Sequence, residues 1–316
     1  MFESIYSVLG VPFGYVLRFI YEFVDNYAVA IVILTLIARL ILVPSSISQQ
    51  KSTAKTMRLQ PKLRRIQEKY AGNQQRIQEE TQALYQREGQ SPFNMGCAPM
   101  LIQFPVMFGL IGVIYYPLSN FLMVDDSVIA ILKEGLATLS LTGKNARLEE
   151  LMIIQNIDQI YAAVGDKLPE SVYTLIKSVN FDFFGLFSLG DVPWGSPFGA
   201  IWAIPVLSFV SSLASGVFSM LKQKQSNPAM AKNPSMGCMT FGMPLFSLYF
   251  VLNFPAGIGI YWIASSVFSL LTLVILNYTH SPRKMISKLM IEETIQRRSR
   301  ENNLKRVAAN KNRDSK

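Results

Sequence analysis

The residue types that can do chemistry in this chain are few, and they sit inside long apolar runs. Arg39 stands in the run that ends at Pro44, with Thr35 one turn earlier on the same helical face. Gln103 stands in a second run, Ser208, Ser211, Ser212 and Ser215 recur at i, i+3, i+4 and i+7 in another, and Trp262 and Ser266 are four apart in the last. None of these runs holds Asp or Glu, so Arg39 has no acid in any apolar run to pair with and calls for water or a visiting anion. Two readings stand side by side. Five residues of helix, about 7.5 Å, let Arg39 snorkel to the interface near Pro44; alternatively it lines a wet groove with the other polar groups. The serine stripe suits close helix packing as well as such a groove.

Other chemistry is excluded by composition. The single histidine, His280, rules out HExxH zinc chemistry, and Cys97 and Cys238 make neither a CxxC pair nor a disulfide framework. There is no GxxxxGK[ST] loop and no GxSxG elbow. The expectation is a protein that is not an enzyme and has no cofactor and no metal site.

The elements that must position these residues are membrane spans. Half of the 316 residues are apolar, only 16% are charged against about 25% in a soluble domain, and the mean hydropathy is +0.26. Runs at residues 27–44, 96–116, 197–221, 236–253 and 257–278 are long enough, or nearly so, to cross a hydrocarbon core as helices. The fold expected is all-α and polytopic. Charge alternates between the runs: net −2 over residues 1–26, +5 over 45–91, −5 over 117–196, +3 over 222–235 and +7 from 279 to 316. Basic loops stay cytoplasmic, so the N-terminus is expected outside and the tail inside. Pro99, Pro105, Pro205 and Pro244 are expected to kink the second, third and fourth spans.

Between the spans, Phe13, Val16, Leu17, Ile20, Phe23 and Val24 recur at helical spacing opposite Arg18, Glu22 and Asp25. This reads as an amphipathic helix on the outer interface, or as a polar beginning to the first span; no cleavable signal peptide is evident. Residues 45–88 read as two antiparallel basic helices turning near 71–73, and residues 127–139, 148–164 and 169–177 as an external helical cap whose role is not legible.

Four stretches then carry a resemblance. Thr35-Leu-Ile-Ala-Arg39 with Pro44 after it, Met57-Arg-Leu-Gln-Pro-Lys62, Asn94-Met-Gly-Cys-Ala-Pro-Met-Leu-Ile-Gln-Phe-Pro105 and Asn253-Phe-Pro-Ala-Gly-Ile-Gly-Ile-Tyr-Trp262 fall in one order, and the chain resembles the YidC-type membrane protein insertases over about residues 13–122 and 183–282. The resemblance implies five core helices around a hydrophilic groove open to cytoplasm and lipid, in a bacterial cytoplasmic membrane. Carried over, the groove's arginine is Arg39, its threonine Thr35, its glutamine Gln103 and its aromatic Trp262. The basic hairpin would receive substrates. Two departures are expected: no large external β-domain or lipoprotein signal, and an added outer segment at about 125–180.

The function implied is insertion and chaperoning of nascent membrane proteins without ATP. Partners implied are those nascent chains, the lipid bilayer and the secretion translocon. The basic tail, with Arg297, Arg298, Arg300, Lys305, Arg306, Lys311 and Arg313, suits anionic lipids or the ribosome and its RNA. The rival class is a small-solute transporter or channel, disfavoured by the missing intramembrane acid and the lack of repeated halves.

Overall fold

The computed structural model describes residues 2–89, 98–141, 146–226, 234–279 and 282–314. Asn26 sets the first helix boundary. Its backbone is extended (φ −148°, ψ 120°) and its side-chain oxygen accepts the Val29 N–H at 3.1 Å, which starts α2 (Tyr27–Ile41) afresh after α1 (Phe2–Val24). The amphipathic segment is thus a separate helix, longer than its spacing suggested. At the other end of α2, Pro44 has no N–H for the Leu40 carbonyl. The ladder therefore stops at Ile41 and restarts as α3 (Val43–Lys69), with the proline in a first turn where no donor is missed.

The chain forms two units, the first made of Met1–Val43 and Met100–Thr272. It carries α5 (Ala98–Tyr115), the short α6 (Pro117–Asn120), then α7 (Asp126–Thr138), α8 (Glu149–Gln155), α9 (Ile157–Val164) and α10 (Glu170–Lys177). After these come α11 (Ala203–Ser226), α12 (Pro234–Asn253) and α13 (Ala256–Thr279). Among the described residues, Ala200–Lys222 and Ala256–Thr279 are long and apolar enough to cross a membrane; the pair Tyr27–Ile41 and Val43–Lys69, taken as one span, makes a third. Phe104–Tyr115 and Thr240–Asn253 are shorter apolar helices; residues 90–97 and 227–233, just ahead of α5 and α12, lie outside the described residues. Two of the four prolines expected to kink spans fall elsewhere. Pro99 and Pro205 sit in the first turns of α5 and α11, where a missing N–H costs nothing; Pro105 and Pro244 do lie inside their helices.

Helix α1 buries the stripe Tyr6, Gly10, Gly14, Leu17 and Ile20 and leaves Val8, Tyr15, Phe19 and Phe23 exposed. The expected apolar face is therefore split, with Leu17 and Ile20 inside and Val16 and Phe23 outside, because packing on α2 and α6 selects only one stripe. Gly14 has to be glycine at this contact: a Cβ there would lie 1.8 Å from the Asn120 carbonyl oxygen.

Helices α7 to α10 form a cap whose core is continuous with the bundle. Ile129, Leu132, Leu136, Ile153, Ile160 and Ile176 belong to one buried cluster with Leu17, Tyr27, Ile31, Leu110 and Ile114. Glu150 of α8, 3% exposed, ties the cap to the start of α6. Its carboxylate accepts the Leu118 N–H (2.7 Å), the Ser119 N–H (3.1 Å) and the Ser119 hydroxyl (2.6 Å), donors that the start of α6 leaves free. Burial pushes the Glu150 carboxyl above the usual carboxylate range, against the Ser119 and Leu118 hydrogen bonds and the Lys133 charge, which pull it down. The segment after α10 then caps two helix starts. Tyr27 N–H donates to Asn180 O at 3.2 Å, and Ala256 and Gly257 N–H donate to Asp191 O (2.8 Å) and Leu189 O (2.9 Å).

The second unit is made of Pro44–Pro99 and Leu273–Lys316. Within it α3 and α4 (Gln74–Arg87) are joined through Gly72, whose φ of +90° turns the chain. Asn73 caps α4 by accepting the Arg76 N–H at 3.0 Å. Glu88 pairs with Lys62 and, at 3.6 Å, with Arg58, so one carboxylate past the end of α4 meets two bases of α3. The tail is helical: α14 (Pro282–Asp314) is a 33-residue basic helix with Met290, Ile291, Ile295 and Leu304 exposed.

Candidate functional site

Arg39 lies in the last turn of α2, twelve residues or about 18 Å from Tyr27. A cation there meets the partial negative charge of the helix end. Its guanidinium is half-buried and Nη2 donates to the Ser265 hydroxyl of α13. Ser265 is nine residues past Ala256, and Ser212 nine past Ala203, about 14 Å into each helix; both helices start at one level, since Gly259 of α13 packs on Ile204 of α11. Within the candidate spans Ala200–Lys222 and Ala256–Thr279 both serines lie near the middle of their helix. The Arg39 side chain thus reaches another helix at that point.

Around that contact is a cavity of about 380 Å³. Arg39, Ser212, Ser215, Trp262 and Ser266 line it, together with Met107, Tyr261, Ser265 and Ser269. Ser212 and Ser266 hydroxyls meet at 3.3 Å, and the Ser215 hydroxyl donates to Ser211 O (3.0 Å) and Ser266 O (3.2 Å). Five serines, one tyrosine and one guanidinium therefore line one space, and among the described residues no carboxylate lies within ion-pair distance of Arg39. The wall is mixed, since Met107, Trp262 and the Tyr261 ring face the same space, and its polar groups can hold water or an anionic group there.

The remaining residues singled out by sequence lie elsewhere. Thr35 is buried and its hydroxyl donates to the Ile31 carbonyl of its own helix at 2.7 Å, so it does not line the cavity. Ser208 is fully buried, 3.0 Å from Ser247 of α12, a helix-packing contact. Ser211 donates to Ser208 O at 3.1 Å and is also outside the lining. Gln103 is on α5, but its side chain lies outside the described residues. Sequence spacing missed Ser265, Ser269 and Tyr261. The signal was present, because Tyr261, Ser265 and Ser269 recur at i, i+4 and i+8 and so share a face beside Trp262 and Ser266.

Residues 19–284 match the family model described as 60Kd inner membrane protein. The chain is 32% identical over 244 residues to the inner membrane protein PPF-1 of Pisum sativum chloroplasts, which covers 77% of this chain and 47% of that protein. It is 32% identical over 244 residues to the chloroplast inner membrane protein ALBINO3 of Arabidopsis thaliana, covering 77% and 45%. A membrane protein insertase YidC from Syntrophobacter fumaroxidans is 26% identical over 265 residues, covering 84% and 37%. The chain thus spans less than half the length of these relatives.

Proposed function

Since the chain belongs to the 60Kd inner membrane protein family, that of the YidC-type proteins, we propose that it is a membrane protein insertase and chaperone. One relative carries the name insertase in full, and the observation that supports the same activity here is the cavity around Arg39: lined by five serines, bearing a positive charge, and near the middle of α11 and α13. In this reading five spans, α2, α5, α11, α12 and α13, enclose the groove, with the N-terminus outside and α14 in the cytoplasm of a bacterial cell. Gln103 joins the groove from α5, and Thr35 supports Arg39 from within α2.

The physics of insertion follows from the groove. A nascent membrane protein has to carry a short polar, often acidic, tail through a layer where charge is costly. A wet half-channel shortens the distance over which that tail is dehydrated, and Arg39 attracts it transiently. Ser265 holds the guanidinium by a neutral hydrogen bond, which an incoming carboxylate can replace with a stronger, charge-assisted one. The apolar segment of the client then slides into lipid. Ten Leu, Ile, Phe or Val residues at about 0.3 to 0.6 kcal/mol each supply on the order of 3 to 6 kcal/mol, so no ATP is needed. A membrane potential adds about 2.3 kcal/mol per charge per 100 mV to outward movement of an acidic tail. The basic hairpin of α3 and α4 receives clients, and the basic α14 meets anionic lipid or the ribosome, with the secretion translocon a further partner.

The test is reconstitution. Full-length protein in liposomes is expected to give protease protection to a single-span substrate with an acidic tail; protection no greater than in empty liposomes would overturn the insertase reading.

A further inference from the structure

Between α10 and α11 the chain makes a feature that neither the cavity nor the insertase reading uses. Residues 181–189 form a tight hairpin: Leu189 N–H donates to Phe181 O at 2.9 Å, Phe183 N–H to Phe187 O at 2.9 Å, and Leu186 N–H to Phe183 O at 3.0 Å. Its two central turn residues, Phe184 and Gly185, have φ of +49° and +73°. Turns of this kind favour Asn-Gly, and a bulky residue at positive φ is an outlier that costs stability. Yet the strained side chain is not buried. Phe184 is 69% exposed, touching the Phe183 ring edge-on at 5.1 Å, and Leu186 beside it is 61% exposed. The fold itself gains little from an aromatic at this position.

The hairpin is fixed at the level where the spans begin. Its base is tied to the start of α2 by Asn26 Nδ2–H to Asp182 O (3.4 Å) and to the start of α13 by the Gly257 N–H to Leu189 O bond. Phe184 is three residues from the buried Phe181, at most about 10 Å of chain, which is comparable with the interfacial layer of about 5 to 7 Å on each side of a bilayer. Exposed apolar residues recur ahead of α11 and along it: Trp194 is 69% and Phe198 90% exposed, the Phe198 ring lies 5.8 Å from Trp202, and the exposed Val206, Leu207 and Val210 follow along the span. Exposed aromatics at the start of an apolar span whose own outer face is apolar have lipid as their natural cover, and aromatic rings suit the headgroup level. Asp182 and Asp191, the acids of this segment, argue against attraction to anionic headgroups, so the contact is apolar rather than electrostatic.

We propose that the hairpin 181–189, with Trp194 and Phe198, is a lipid anchor seated at the headgroup and upper acyl region of the leaflet where α11 and α13 begin. It requires only that α11 and α13 cross a membrane, and it stands or falls independently of the insertase reading. The test places 4-fluorophenylalanine at position 184, and separately at 198, in the full chain reconstituted in phosphatidylcholine/phosphatidylglycerol vesicles, with unchanged melting as evidence of folding. The fluorine resonances are expected to broaden severalfold more with lipid carrying a nitroxide at acyl carbon 5 than with a water-soluble gadolinium chelate. Broadening mainly by the chelate would place the hairpin in water and overturn the anchor. Protection from both would mean that a protein surface, such as a second copy, covers it, and would overturn it equally.

Discussion

Thr35 and Ser265 show how a hydroxyl's role is settled by its neighbours. Spacing puts Thr35 on the face of Arg39, but its hydroxyl is satisfied inside α2 by Ile31 O, whereas Ser265, 226 residues from Arg39, accepts from the guanidinium. Replacing Arg39 with Ala is expected to lower insertion of an acidic-tailed substrate about tenfold or more, the worth of one charged hydrogen bond, while Arg39→Lys keeps most of it. Equal protease protection by the Ala variant would return this residue to a snorkelling role. At Glu150 the outcome is a pH dependence. Its folded pKa is raised above the unfolded value of about 4.3, so the folded state binds the extra proton and this group's stabilising share is present at acid pH and lost as pH rises through the folded pKa. The melting temperature of the wild type is therefore expected to fall relative to that of Glu150→Gln from about pH 4 upward. A wild type that gains on Glu150→Gln as pH rises would mean that the three hydrogen bonds outweigh burial.

Among elements, α1 and α11 show what periodicity can and cannot reveal. The serine stripe of α11 reads as packing or as groove, and the fold uses it for both: Ser208 packs on Ser247 of α12, Ser215 meets Ser266 of α13, and Ser212 between them reaches Ser247 at 3.5 Å and Ser266 at 3.3 Å. The stripe is wide enough to face two neighbours, and which hydroxyl meets which depends on where α12 and α13 lie beside it. In α1 the apolar spacing is legible, but the buried stripe is chosen by glycines that allow backbone contact. Gly14→Ala places a methyl 1.8 Å from the Asn120 carbonyl oxygen, a backbone atom that cannot swing away. Overpacking costs about 1 to 3 kcal/mol even where side chains can yield. The variant is therefore expected to melt well below the wild type in detergent, and unchanged melting would show that α1 is not held there.

For the whole molecule, residues 125–180 acquire a role that the sequence leaves open. In the fold their apolar residues share one core with the bundle, Glu150 caps α6, and Asn180 and Phe181 close on Tyr27, the latter ring to ring at 4.5 Å. Deleting residues 125–180 is expected to abolish a cooperative melt and to give aggregates on gel filtration; a monodisperse deletion variant with full insertion activity would show the segment to be an accessory. The membrane class, the apolar runs, the alternating charge, the end of the first run at Pro44 and the family were determined by the sequence alone, because hydropathy, charge count and proline chemistry are local properties of the chain. Which hydroxyls surround Arg39, which face of α1 is buried and whether the cap belongs to the core were decided only by tertiary structure, because each depends on how helices far apart in sequence rotate and approach one another.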